Sequence, residues 1–234
     1  MSFQTPNITA QNIDEEGFHG VFVMEPLERG FGTTLGNSMR RVLLSSLTGY
    51  AITSVEIDGV AHEFSTIPGV KEEVTEIILN LKNVILKLPD EGTHTLYVDI
   101  TDATELKAGD IQCSSDIEIV NPELHIATLD KSAHLVMTLT ADKGRGYISC
   151  DERKKSLNNA SAAKGNGGSS IGSRVIAVDS IYTPVKRVNY TVEGTRHEDS
   201  LDYDKLTLDV WTNGTITASE AVSFAAKILT DHLD

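Results

Sequence analysis

The chain has 234 residues, 34 acidic and 20 basic, and a formal net charge of −14. Holding a phosphate backbone requires several phosphates to be neutralised by Lys and Arg, so this charge speaks against nucleic-acid contact. With 40% hydrophobic and 23% charged residues it suits one large globular domain or two small ones, and no apolar run approaches the ~20 residues of a membrane span. No basic-then-apolar leader opens the sequence, and the cysteines, Cys113 and Cys150, form no CxxC pair. Two reduced thiols and a cytoplasmic location are expected. None of the seven histidines stands at a metal-ligand spacing from another His or Cys, so no metal and no cofactor are expected.

In chain order, residues 1–16 are polar and predict a frayed start. Val21–Met24 reads as a strand running into a Pro- and Gly-punctuated loop over Glu25–Gly32. A helix is predicted from Thr33 to Leu47, stopped by Gly49, and Ala51–Ile57 alternates as a strand. Val70, Val74, Ile77, Ile78 and Leu81 recur at helical spacing, which predicts an amphipathic helix over 70–83. Short strands follow at Val84–Leu88, Thr95–Ile100, Asp116–Val120, Leu124–Leu129 and Leu135–Ala141. Residues 153–170, Lys-rich and then Asn/Ala/Gly/Ser-rich, cannot bury enough apolar surface to order themselves and read as a mobile loop. Strands resume at Arg187–Glu193 and Lys205–Trp211. A last helix starts at Ala218, where Thr217 and Glu220 have capping-box spacing. The pattern is α+β.

Two helices carry more surface than a monomer needs. On the first, Leu35, Met39, Val42, Leu43 and Leu47 share the core arc, while Arg40, Arg41 and Leu44 lie opposite with Asn37. Leu44 sits among guanidinium groups, a combination typical of protein-binding surfaces. On the last, apolar residues including Phe224, Ile228 and Leu229 spread over roughly 200° of the wheel, about twice what a surface helix needs. That excess predicts oligomerisation.

No catalytic constellation accompanies these faces. Gly30–Gly36 has neither dinucleotide-binding nor P-loop spacing, and no Lys follows Gly36. Two alternatives remain open from residues alone: a nucleotide-handling enzyme cradling phosphate at Gly30–Gly36, and a nucleic-acid module using Arg40 and Arg41.

The segment from Glu25 to Ser46 (EPLERGFGTTLGNSMRRVLLSS) resembles the most characteristic stretch of bacterial RNA polymerase α subunits. Val55–Val60, His62–Thr66, Glu76–Lys82, Gly144–Tyr147, Tyr182–Val185, Asp204–Leu206 and Thr212–Ile216 follow in family order, so the resemblance runs from about residue 18 to 233. It implies the family's amino-terminal assembly domain, without catalytic residues of its own. Residues 1–48 and 179–234 would form a discontinuous dimerisation subdomain, with a strand-rich subdomain over 49–178 inserted between. Leu35, Met39, Phe224, Ile228 and Leu229 would meet a second α chain, identical or paralogous. Arg40, Arg41 and Leu44 would meet β, and Glu76, Lys82, Val178 and Lys205 would meet β′. DNA and activators are expected to be reached through a carboxy-terminal domain that this chain lacks, and no membrane partner is expected.

Overall fold

A computed structural model describes residues 5–101, 104–155, 175–197 and 200–233. Along the chain run β1 (Asn7–Gln11), β2 (His19–Glu28), α1 (Phe31–Ser45), β3 (Thr48–Ile57), α2 (Val74–Leu81), β4 (Leu86–Lys87) and β5 (His94–Thr101). Then come β6 (Glu105–Lys107), β7 (Glu118–Ile119), β8 (His125–Thr128), β9 (His134–Arg145) and β10 (Tyr147–Ile148). The last described elements are β11 (Val175–Ala177), β12 (Ser180–Ile181), β13 (Val185–His197), β14 (Ser200–Thr212) and α3 (Ala218–Leu233). The α+β class is as expected. The chain divides into two compact units, Met1–Thr48 with Thr183–Asp234, and Gly49–Tyr182.

In the first unit, β1, β2, β14 and β13 form an antiparallel sheet in that order. Leu206, Leu208 and Val210 alternate along β14 and point to one face, where α1 and α3 cover them. Met39 and Leu43 of α1, with Leu47 just beyond its end, join Ala218, Ala221 and Ala225 of α3 in this core. α1 lies very close to the β13–β14 hairpin because two of its residues are glycines. A Cβ on Gly36 would stand 2.6 Å from the Tyr190 ring, and one on Gly32 2.7 Å from Val192. The start of α1 has no side-chain cap of its own; Gly30 precedes it at φ 89. Asp204 on β14 does that work, its Oδ2 accepting from the amides of Gly30 at 2.8 Å and Gly32 at 3.2 Å. The start of α3 is capped locally, as expected. Glu220 N donates to Thr217 Oγ1 at 3.2 Å and Thr217 N to Glu220 Oε2 at 2.9 Å.

The second unit contains a sheet of order β11-β3-β9-β5 and the pairs β4–β7, β6–β8 and β10–β12. α2 packs on β8, and Ile77, Leu81, Leu96, Leu135, Met137 and Leu139 are fully or almost fully buried in its core. The unit ends at Tyr182, four residues beyond the expected boundary at 178. Val178 lies in this core, Ser180 Oγ donates to Ile52 O at 3.3 Å, and Tyr182 N donates to Gly146 O at 2.9 Å.

Several expected elements are corrected. The start is not merely frayed, because β1 pairs with β2; its five residues are all exposed, and the Ile8/Ala10 alternation is too short to stand out in a polar stretch. β2 continues through the expected loop to Glu28. Leu206 pairs with Met24 and Asp204 with Leu27, so Glu25 and Pro26 oppose Lys205 alone, a bulge in which proline's missing N–H breaks no ladder bond. α1 begins two residues early because its cap comes from a distant strand. α2 begins at Val74 rather than 70, since Val70 bridges Leu129 in extended backbone while still packing on the core. The two- and three-residue strands β6, β10, β11 and β12 are too short for periodicity to register. Of the expected loop at 153–170, residues 153–155 are helical and the remainder lies outside the described residues.

Replacing Gly36 with Ala forces the Tyr190 ring or the helix to move and is expected to cost about 1–3 kcal/mol. Gly194→Ala, with open space around it, is expected to cost much less. Urea unfolding of both variants against the parent checks this pair.

Candidate protein-interaction surfaces

α1, α3 and the sheet edge enclose an open groove of about 830 Å³. Ile8 and Ala10 come from β1, Phe22 and Met24 from β2, Phe31, Leu35 and Met39 from α1, and Val222, Leu229 and Leu233 from α3. Its polar lining consists only of Thr34, Ser38, Ser219, Ser223 and Thr230, all neutral. Among the described residues no charged side chain lines the groove, in a chain whose net charge is −14. Of the expected interface residues, Leu35, Met39 and Leu229 line it, with Met39 in its buried floor. Phe224 and Ile228 do not. They lie a turn apart on another arc of α3, Phe224 49% exposed and Ile228 packed on the core.

Arg40, Arg41 and Leu44 are exposed together on α1. Among the described residues no carboxylate pairs with either guanidinium, which leaves both available to a partner. Thr183 Oγ1 donates to Leu44 O at 3.0 Å and ties this end of α1 to the start of the returning chain.

Three of the remaining expected residues lie in the second unit. Glu76 is exposed on α2, where its Oε2 accepts from Glu73 N at 3.3 Å and closes the first turn. Lys82 donates from Nζ to Asp179 Oδ2, and Asp179 Oδ1 accepts from Cys150 N at 2.8 Å. Lys82 first, and the Cys150 amide next, hold the Asp179 carboxyl below its ordinary value of 3.8. Val178 is 1% exposed, which corrects its assignment as a surface contact: it is a core residue one position before Asp179. Beside Lys82 opens a cleft of about 280 Å³ floored by Ile78, Ile176 and Ala177, with Phe64 and Leu79 on its rim. Phe64 is 79% exposed. Sequence reasoning missed both, although Leu79 stands off the core arc of its helix and Phe64 stands in a polar stretch.

Lys205 belongs to the first unit and alternates with buried Leu206, so it lies on the sheet face away from the helices. Farther along that face Trp211 is sandwiched. The His19 ring stacks on it at 4.5 Å and 10°, and the Arg187 guanidinium lies 4.5 Å from the Trp211 ring. His19 Nε2 is 2.7 Å from Asp209 Oδ1.

The chemistry of the Gly30 loop decides one open alternative. Its amides at Gly30 and Gly32 already face the Asp204 carboxylate, in the position a phosphate would need. Among the described residues Tyr182 stands out, pushed up to about 12 by burial and by its hydrogen bond to Asp142. Its OH donates to Asp142 Oδ1 at 2.5 Å, and Arg153 NH1 donates to Asp142 Oδ2 at 3.1 Å. Gly144 lies directly under the ring, where a Cβ would be 2.6 Å away. This is a packed structural network. Among the described residues no group of three His, Cys, Asp or Glu side chains could hold a metal ion. No described helix is long and apolar enough to cross a membrane.

An uncharged apolar groove, two exposed arginines and a cleft with an apolar floor rimmed by Glu63, Lys82, Lys154 and Asp179 define a protein that acts through its surfaces. Residues 55–183 match the family model of the RNA polymerase Rpb3/RpoA insert domain. The chain is 54% identical over 233 residues to the DNA-directed RNA polymerase subunit alpha of Limosilactobacillus reuteri, covering 100% of this chain and 70% of that protein. It is 52% identical over 234 residues to the same subunit of Staphylococcus aureus, with the same coverage. The chain belongs to the bacterial RNA polymerase α-subunit family, and matches its amino-terminal assembly region. Its role is that of a non-catalytic subunit of a nucleotidyltransferase, DNA-directed RNA polymerase, in transcription.

The depressed Asp179 titration carries a sign. The Lys82–Asp179 pair contributes stability above the ordinary aspartate value of 3.8, and this is lost as pH falls through the lower folded value. Asp179→Asn is therefore expected to destabilise the chain at neutral pH and to converge with the parent in strong acid. Denaturant midpoints measured across that range check it.

Proposed function

We propose that this chain pairs with a second α chain, identical or paralogous, through the groove between α1 and α3, and that the pair then receives β and β′. The observation that carries the reading is the groove itself. Its apolar, uncharged lining is unusual for so acidic a chain, and burying it would bring about 25 cal/mol per Å² of apolar area removed from water. Leu35 and Leu229 are the central contacts, Met39 supports them from beneath, and Phe224 and Ile228 extend the surface along α3. The area needed for a stable pair is larger than a single helix face, which is why α1 and β1 also contribute.

Arg40, Arg41 and Leu44 form the surface for β. Two free guanidinium groups around an exposed leucine make a charged fork beside an apolar anchor, the combination found at energetic centres of interfaces. Glu76, Lys82 and Lys205 are the contacts to β′. Val178 supports that role indirectly, by anchoring in the core the connection between β11 and β12 that presents Asp179 to Lys82. No cofactor is needed for this work, and it takes place in the cytoplasm. With a net charge of −14 the described surfaces have no part in holding DNA, which with activators is left to another domain of the subunit.

Light scattering on the purified chain at micromolar concentration is expected to give twice the 25.4 kDa chain mass. The double variant Leu35→Glu, Leu229→Glu, which places two carboxylates in the groove, is expected to run as a folded monomer. A monomeric parent would end the groove reading. Arg41→Ala is expected to leave the dimer intact and to weaken capture of β by about 2 kcal/mol or more, measured by pull-down and titration with purified β. Undiminished capture would remove this face from the account.

A further inference from the structure

The second unit contains a histidine held between two carboxylates from separate segments. His125 on β8 has Nδ1 2.9 Å from Glu105 Oε1 on β6, and Nε2 3.3 Å from Glu72 Oε1. Glu72 stands just before α2, next to its capping residue Glu73. The segment carrying Glu72 runs along the end of β8: Lys71 N donates to Thr128 O at 3.0 Å, and Asp130 N donates to Gly69 O at 2.7 Å. The Glu72 carboxylate completes this seam, accepting from Thr128 N at 2.6 Å and from Thr128 Oγ1 at 2.8 Å.

Both ring nitrogens of His125 face carboxylate oxygens. Only the imidazolium can donate to both at once, because a neutral imidazole has one N–H and turns a lone pair to the other acceptor. We propose that His125 is a proton-controlled tie, which fastens β6 and the segment entering α2 to β8 when protonated and lets go of one of them when it loses its proton. The hydrogen bond to Glu105, only partly opposed by burial, raises His125 above its ordinary 6.5, with Glu72 adding to it. Burial pushes Glu72 up, but the Thr128 amide and hydroxyl outweigh it and keep the carboxyl below its ordinary 4.5, so it is an anion throughout the histidine's titration.

The neighbouring charged groups make hydrogen bonds of their own, although Lys107, opposite His125, also feels the Glu105 carboxylate. Lys107, the next cation on β6, donates to Glu123 Oε2 at 2.7 Å, and Glu76 on α2 is engaged with the Glu73 amide. The sign follows from the raised value. The tie contributes fully below 6.5 and is lost as pH rises through the folded value. What changes is local, since Glu72 keeps its two bonds to Thr128 but loses the third group that held its side chain in place.

The test is NMR on the whole chain between about pH 5 and pH 8, following the His125 ring and the exchange of the Thr128 amide, corrected for intrinsic exchange. His125 is expected to titrate above 6.5. Thr128 protection is expected to fall about two- to tenfold through the same midpoint. In His125→Gln that step is expected to vanish, and in Glu72→Gln the His125 midpoint is expected to drop. Glu105→Gln, on the more exposed side, gives the same drop should Glu72→Gln not fold. A His125 midpoint at or below 6.5, or Thr128 protection that ignores the titration, would overturn the proposal.

Discussion

The carboxylate of Asp204 is the contact on which the first unit depends. It sits late in the chain, on β14, and accepts the amides of Gly30 and Gly32 at the start of α1. A helix end left uncapped exposes unpaired N–H groups, and here no nearby side chain could serve, because the positions before α1 are Arg29 and Gly30. The two glycines of the first turns make the same contact possible from the other side. Without a Cβ at 32 or 36, α1 settles directly onto Val192, Tyr190 and Leu206. Early and late parts of the sequence are thereby joined into one core, and the chain between them forms a unit of its own.

That close approach also shapes the groove. With α1 pressed onto the hairpin and α3 beside it, Leu35 and Leu229 line the same opening while Met39 closes its floor. The charged residues of α1 are turned the other way, where Arg40, Arg41 and Leu44 stand exposed. One short helix therefore offers an uncharged apolar side and a cationic side. This is the physical basis of the proposal that it meets two different partners, since an apolar contact tolerates no unpaired charge and the arginine pair calls for an acidic one.

The second unit is organised by polar ties laid over an aliphatic core. Lys82 with Asp179, Arg153 with Asp142 and Tyr182, and Glu72 with Thr128 and His125 each link segments far apart in the sequence. Many of its strands have only two or three residues and could not hold register on ladder bonds alone. Side-chain bonds between segments supply what the short ladders lack. Two of these ties, at Asp179 and His125, include groups whose titration is shifted by their partners, so their strength follows pH in opposite directions.

Alternation and helical spacing are local signals that survive without a partner, so the α+β class, the helices α1 to α3, the long strands and the sides of α1 were legible in the sequence. Its motif order was long enough to point to the family, and the excess of apolar residues on the last helix already called for a covering surface. Tertiary structure alone decided the rest. Phe224 and Leu229 are equally apolar in sequence, but only the packing of α3 against α1 and β2 puts Leu229 in the groove and leaves Phe224 outside it. Val178 could not be told from a surface valine until the chain leaving β11 bonded to β3 through its amide, and Val70 kept helical spacing while lying in extended backbone. Asp204 and His125 were unremarkable in sequence, since their partners stand 174 residues and 20 and 53 residues away. Periodicity reports what a residue's own element does with it, whereas caps, ties and grooves arise between elements, and their geometry exists only once the chain has folded.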